Sequence, residues 1–253
     1  MNIFTVISPV IKNDTDISLT AKSLILLSKK IKFEWIIVCP RSEFKNFKAD
    51  KLLNKISFLR VICEKNNSIY GAYNTALNLV KSKYYLPLSS GDTILEKSSK
   101  CLITILGDKN YINSYIIFFS VLKSGKIIRA HDTLFSLIRT SGFSSGHSSS
   151  CLISMKAHKK FGYYDERFKM AADNYFFELV YKYSRDRISW VPDCLLGYFK
   201  GGGISVQNMS ETLKELYLSR VLAGRSKFKE KIILIYRYIK YIFFAQKTFS
   251  KIR

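Results

Sequence analysis

Apolar and polar positions follow two rhythms along the first hundred residues. Short β-rich runs at 3–8, 34–38, 57–62 and 84–88 are separated by helical spacing over 15–29, 42–53 and 69–80. Strand and helix in alternation predict parallel βαβ units, since a parallel pair needs a crossover and a helix is the usual one. Asp14 and Asp16 are expected to cap the first helix, and Pro40 and Pro87 stand where a central strand should be ending.

After Leu106 the rhythm changes. Residues 115–122 and 126–130 flank Ser124-Gly125 and read as a hairpin, which predicts a mixed sheet. The Ser/Gly-rich segment 140–150 and the Gly-rich segment 200–206 read as loops, where function often resides. Beyond Gln207 the sequence turns to helix formers with frequent Lys and Arg. The expected organisation is therefore an α/β body over 1–206 and a helical, basic, amphipathic tail over 207–253. At about 100° per residue, Lys229, Arg237, Lys240, Lys247 and Lys251 share an arc of roughly 80°, with Ile235, Tyr238 and Ile242 opposite.

Composition narrows the class. Hydrophobic residues at 47% and aromatics at 14% exclude a disordered chain. No run reaches the roughly 18 apolar residues of a spanning helix. A formal charge of +22 calls for a polyanionic partner: nucleic acid, anionic lipid or a phosphorylated ligand. No nucleic-acid-binding module is recognisable, so nucleic acid is not expected as a partner. Cys39, Cys63, Cys101, Cys151 and Cys194 are odd in number and lack a C-x-x-C pair, which predicts reduced thiols and, with no signal-peptide pattern at the N-terminus, a cytoplasmic protein.

Candidate chemistry starts at residues 84–94 (YYLPLSSGDTI), where an apolar strand ends in a small polar turn bearing Asp92. Open α/β sheets bind ligands beyond the carboxyl ends of their strands. A carboxylate there, beside the small residues Ser90 and Gly91, can hold Mg²⁺ or Mn²⁺ against a diphosphate; it can equally cap a helix or turn. Such a turn aspartate is expected to be exposed and to matter little to the core. Upstream, Gly71 and Asn74 at the start of the 69–80 helix would let a ligand approach closely. Asp173 opens a later helical pattern, and Asp165 sits in a turn; each could be no more than a local cap.

Taken in order, the segments Ile69-Tyr70-Gly71-Ala72-Tyr73-Asn74, Ser90-Gly91-Asp92, His147, Gly162-Tyr163-Tyr164-Asp165-Glu166, Ala171-Ala172-Asp173-Asn174-Tyr175 and Gly202-Gly203-Ile204-Ser205 resemble family-2 glycosyltransferases of the GT-A fold. The closest likeness is to bacterial members that build O-antigen, capsule and exopolysaccharide. The resemblance covers about residues 1–206.

It implies a nucleotide-diphospho-sugar transferase fold with a mixed central sheet flanked by helices. It also implies an inverting, metal-assisted transfer from a donor such as a UDP-sugar to a saccharide acceptor carried on polyprenyl diphosphate. Asp92 would hold the metal and diphosphate, and Asp173 would be the general base. Ser8, Pro9, Tyr70, Gly71, Asn74, Ser90, Gly91, Gly202, Gly203 and Ser205 would line the donor site, and His147 would lie near the donor or acceptor sugar. Separately from the resemblance, the amphipathic pattern and charge of the tail lead us to expect docking on an anionic membrane at its inner face, and homo-oligomer formation is left open. Three positions depart from the family pattern. Val38-Cys39-Pro40-Arg41-Ser42 lacks the acidic residue expected after the second strand, Gly71 replaces an aspartate, and only the last carboxylate of the D-x-D-type motif is present. A degenerate GT-A domain that binds nucleotide or glycan without turnover is the alternative.

Overall fold

The computed structural model describes residues 3–12, 14–64, 68–130, 148–201 and 203–249. The first half forms β1 (Phe4–Pro9), α1 (Ile17–Ser28), β2 (Phe33–Cys39), α2 (Phe44–Ala49), β3 (Leu59–Cys63), α3 (Ile69–Leu77) and β4 (Tyr84–Pro87). Strand β1 pairs in parallel with β2 and β4, and β2 with β3. These strands are almost continuously apolar because both faces of the sheet are covered. Phe4, Val6, Trp35 and Ile37 pack into one core, whereas Ile7, Ile36, Val38 and Tyr85 pack into the other.

The second half supplies β5 (Thr93–Ile94), α4 (Ser98–Gly107), β6 (Ile116–Lys123), β7 (Lys126–Ile128), β8 (Cys151–Ser154), α5 (Met155–Phe161), α6 (Ala172–Ser184) and β9 (Ile188–Phe199). The helices α7 (Ile204–Gln207), α8 (Met209–Leu222) and α9 (Lys227–Phe249) follow. Among the described residues the strands form one sheet in the order β3-β2-β1-β4-β8-β6-β9-β5, with β7 on β6. Strand β8 runs antiparallel to both β4 and β6, so the sheet is mixed, as the sequence predicts. The β6–β7 hairpin turns on Ser124 and Gly125, both at positive φ, which suits the right-handed twist of the strands. The expected 200–206 loop ends in the helical turn α7.

Gly197 of β9 faces the β5 backbone so closely that an added Cβ would fall 2.1 Å from the Thr93 carbonyl oxygen. Backbone cannot yield as a side chain does, so Gly197→Ala is expected to cost about 3 kcal/mol. The midpoint of urea unfolding measures this loss. The same region corrects the expectation of five reduced thiols: α4 packs on β9, which brings Cys101 and Cys194 to a Cα separation of 6.2 Å and joins them in a disulfide. Their separation of 93 residues hides the pairing from any spacing rule. The bridge also removes the thiol argument for a cytoplasmic location.

The tail helices are tied to the body by buried charge. Arg220 of α8, fully buried, lies 3.7 Å from Glu178 of α6 and 3.4 Å from Glu230 of α9. Arg225 joins the same two carboxylates at 2.8 and 3.6 Å. Two cations and two anions balance, the condition under which such a network can be buried at tolerable cost. Arg237 turns towards this cluster, and burial pulls its guanidinium down to about 9, with Arg220 adding to the effect. Tyr238 donates to the Ser210 carbonyl at 3.0 Å. The expected split of α9 is therefore corrected: Arg237 and Tyr238 both face the protein, because the buried carboxylate of Glu230 fixes that side inward. No helix among the described residues is long and apolar enough to cross a membrane.

Candidate active site

Strand β4 ends at Pro87, and the turn Ser89–Asp92 carries the chain out beyond the sheet before β5 begins. Gly91 takes φ +85°, and a Cβ there would press on the Lys200 and Asp16 side chains. Thr20 of α1 clamps the turn, its hydroxyl donating to the Asp92 carbonyl at 2.8 Å and accepting the Gly91 N–H at 3.0 Å. Ser90 donates to Asp14 at 2.6 Å, and Asp14 also accepts the amides of Asp16 and Ile17. Asp14 is thus the cap of α1, while Asp16 pairs with Lys200 at 2.5 Å.

Asp92 is buried, only 6% exposed, which corrects the expectation of an exposed turn carboxylate. The cause is the return of β9: the Lys200 N–H donates to Asp92 Oδ1 at 3.0 Å. Burial pushes the carboxyl up to about 6, opposed by the Lys200 amide, the Ser149 side chain and the charge of Lys123. Among the described residues it forms no ion pair.

Asp173 lies in the first turn of α6 and is half-buried. Tyr70 of α3 donates to its Oδ1 at 2.8 Å, and the Asn174 amide donates to the same oxygen. The turn before it is held from α8, where Glu215 accepts the amides of Lys169, Met170 and Ala171 at 2.7 to 3.1 Å. Ser219 of α8 donates to Asn174 at 2.9 Å. Tyr73 of α3 is buried, and after burial itself the charges of Asp173 and Asp92 both help to push its hydroxyl upward. Asp92 and Asp173, 81 positions apart in the chain, both lie close enough to Tyr73 to act on its hydroxyl, which puts them in one region of the molecule.

Beside that region a cleft of about 340 Å³ is lined by Pro9, Lys12, Pro40, Glu64, Ile69 and Ala72, among others. Glu64 follows β3, and its amide donates to the Cys39 carbonyl at 2.9 Å, which seats it beside the end of β2. Burial raises its carboxyl. The acidic residue missing after β2 is thus matched by one from the adjacent strand. Parallel register made it findable, since Cys39 pairs with Cys63 and the next residue is Glu64.

Several expected donor residues are committed elsewhere. Ser8 is fully buried and accepts the Trp35 indole N–H at 3.0 Å, so it serves the core. Asn74 clasps the Gly162–Glu166 segment: its amide donates to the Tyr164 carbonyl and Glu166, and its oxygen accepts the Tyr164 N–H. Gly71 is buried in α3, its amide bound to Ser68, and Tyr70 serves Asp173. Asp165 ties a turn by gripping Arg167. Gly203 is exposed, and the Ser205 carbonyl accepts from Thr212. His147 and Gly202 lie outside the described residues. Behind the site, His158 is buried and held down to about 4 by desolvation, hence neutral. Its Nδ1–H donates to the Gly162 carbonyl, and its Nε2 accepts from Tyr85, which in turn accepts from Tyr164. This network braces the Gly162–Tyr164 turn against β4.

Asp92 fits a divalent cation in one respect: a buried carboxylate that forms no ion pair among the described residues gains from a cation brought by the ligand. Among the described residues no group of three His, Cys, Asp or Glu side chains could hold an ion by itself. Mg²⁺ commonly takes one or two carboxylates and completes its shell with substrate phosphates and water. A cation at Asp92 would accordingly arrive with a diphosphate.

No protein-family model matches the sequence, and no curated protein matches it significantly. Solved structures do match. Residues 1–349 of S. aureus TarS in complex with UDP superimpose with a TM-score of 0.63 at 20% identity, over 92% of this chain and 70% of that one. The same protein with UDP-GlcNAc gives a TM-score of 0.64 at 18% identity, over 92% and 70%. The mannosyltransferase PcManGT of Pyrobaculum calidifontis with GDP-Man and Mn²⁺ gives 0.63 at 13% identity, over 92% and 68%. The chain has the fold of these GT-A-type glycosyltransferases, with its helical C-terminal region included.

Proposed function

We propose that the chain is an inverting, metal-assisted glycosyltransferase that moves a sugar from a nucleotide diphosphate, a UDP-sugar first, to a saccharide acceptor. The observation that carries this reading is the buried Asp92 after β4 and Asp173 in the first turn of α6, both acting on the Tyr73 hydroxyl, together with the cleft bearing Glu64. The base of the nucleotide would enter that cleft, with Glu64 accepting a ring N–H. The diphosphate would lie along Ser90–Asp92, near Lys123 and Lys200. A Mg²⁺ or Mn²⁺ ion bound with it would neutralise charge gathering on the leaving diphosphate.

Asp173 holds Tyr70 and the Asn174 amide through Oδ1, which among the described residues leaves Oδ2 for the acceptor hydroxyl. As that hydroxyl attacks the anomeric carbon, its proton passes to Oδ2, the new C–O bond forms and the bond to the diphosphate breaks. A single displacement inverts the anomeric centre and needs no protein nucleophile. By the family resemblance, the acceptor is a glycan on polyprenyl diphosphate in surface polysaccharide synthesis. The retained carboxylates of Asp92 and Asp173 favour turnover over a degenerate domain that only binds nucleotide or glycan.

A thermal-shift screen of UDP-, GDP- and dTDP-sugars with Mn²⁺ or Mg²⁺ tests the reading. Stabilisation by at least one donor, dependent on the ion, is expected; no response to any of them defeats it. Tyr70→Phe adds a finer check. Without its hydroxyl, Asp173 loses its orienting bond, and kcat is expected to fall about tenfold with donor KM unchanged. Steady-state kinetics separate the two constants.

A further inference from the structure

The ion network fixes which face of α9 looks outward. Glu230 is buried against Arg220 and Arg225, and Tyr238 is bonded to Ser210, so the helix cannot turn about its axis. The side left outward carries Phe228, Ile232, Ile235, Ile239 and Ile242, all exposed, Phe228 at 74%. Their steps of four, three, four and three residues place them in one stripe along the helix. Tyr236 and Tyr241 are exposed beside it.

We propose that α9 lies in the plane of an anionic lipid surface, with this stripe sunk into the boundary of the acyl chains. Charge selects the occupant. Lys227, Lys229, Lys231 and Lys240 are exposed on the same helix, whereas its one carboxylate, Glu230, is buried in the network. A second copy of the chain would bring together two lysine-bearing faces with no carboxylate between them, within a molecule of formal charge +22. Anionic headgroups neutralise those lysines instead, and lysine stems and tyrosine rings suit a zone that is apolar below and wet above. The orientation differs from the one the sequence pattern implies: Arg237 belongs to the protein-facing side and the tyrosines to the rim. Docking of this kind needs no transfer activity.

Flotation of the full chain with vesicles tests it, comparing phosphatidylcholine alone with phosphatidylcholine mixed with phosphatidylglycerol. The full chain is expected to float with the anionic vesicles, to be released by high salt, and to remain behind with the neutral ones. The triple variant Ile232→Ser, Ile235→Ser, Ile239→Ser changes only exposed positions, and its expected partition onto anionic vesicles is lower by at least about tenfold. Far-UV circular dichroism and the melting midpoint confirm that the variant is folded. Equal flotation of the two proteins, or none by either, overturns the assignment. So does a dimer in light scattering that the triple variant dissociates without any vesicle binding, since the stripe would then belong to a second copy.

Discussion

Asp173→Asn is expected to lower the transfer rate by about 10²- to 10⁴-fold while leaving donor affinity near that of the parent. The amide has the carboxylate's shape, so Oδ1 can still accept from Tyr70 at the position it now holds. Glu215 still grips the amides of residues 169–171, so the start of α6 stays in place. What is lost is the oxygen that takes up the acceptor's proton. Donor binding should survive because the cleft proposed for the base and Asp92 lie on other elements. Turnover with radiolabelled donor, beside titration calorimetry with UDP and Mn²⁺, reads the two effects separately. A variant within about tenfold of the parent would make Asp173 part of the helix start and require another base.

The sequence revealed the parts of this site that are local. The parallel βαβ series follows from periodicity, because strands covered on both faces must be apolar throughout. The strand-end position of Asp92 and the place of Asp173 at a helix start follow from the same pattern. What was hidden depends on contacts across the sheet. Asp92 reads as a turn residue until β9 returns beside it and Lys200 donates its amide. Cys101 and Cys194 look unrelated until α4 packs on β9. Asn74 has the chemistry of a ligand-binding amide, yet the Gly162–Glu166 segment uses both its ends. The tail shows the limit most clearly. A helical wheel ranks residues by polarity, and Arg237 counts as outward on that basis, but the buried Glu178–Arg220–Arg225–Glu230 network turns it inward.

Asp92→Asn is expected to make the free protein more stable at neutral pH and to remove ion-dependent donor binding at once. Burial raises the Asp92 carboxyl from 3.8 to about 6. Below the lower value both folded and unfolded chains hold the proton, and the group costs the fold nothing. Between the two values the folded protein retains a proton that the unfolded chain has released, and stability declines as pH rises. Above about 6 the full cost of a buried charge is present, on the order of 3 kcal/mol. The amide avoids that cost and can still accept the Lys200 N–H, so the variant should melt a few degrees higher at pH about 7.5 and lose this advantage near pH about 4. In the parent, Mn²⁺ with UDP is expected to offset the cost by binding only the folded state, and this stabilisation should weaken as pH falls through about 6 and the carboxyl takes up its proton. Melting curves of both proteins at acidic and neutral pH, with and without UDP and Mn²⁺, measure all of this together. If the variant still gains stability from UDP only when Mn²⁺ is present, the ion is held elsewhere. If its melting point falls at neutral pH, Asp92 supports the fold and is not a charge kept in place for a ligand.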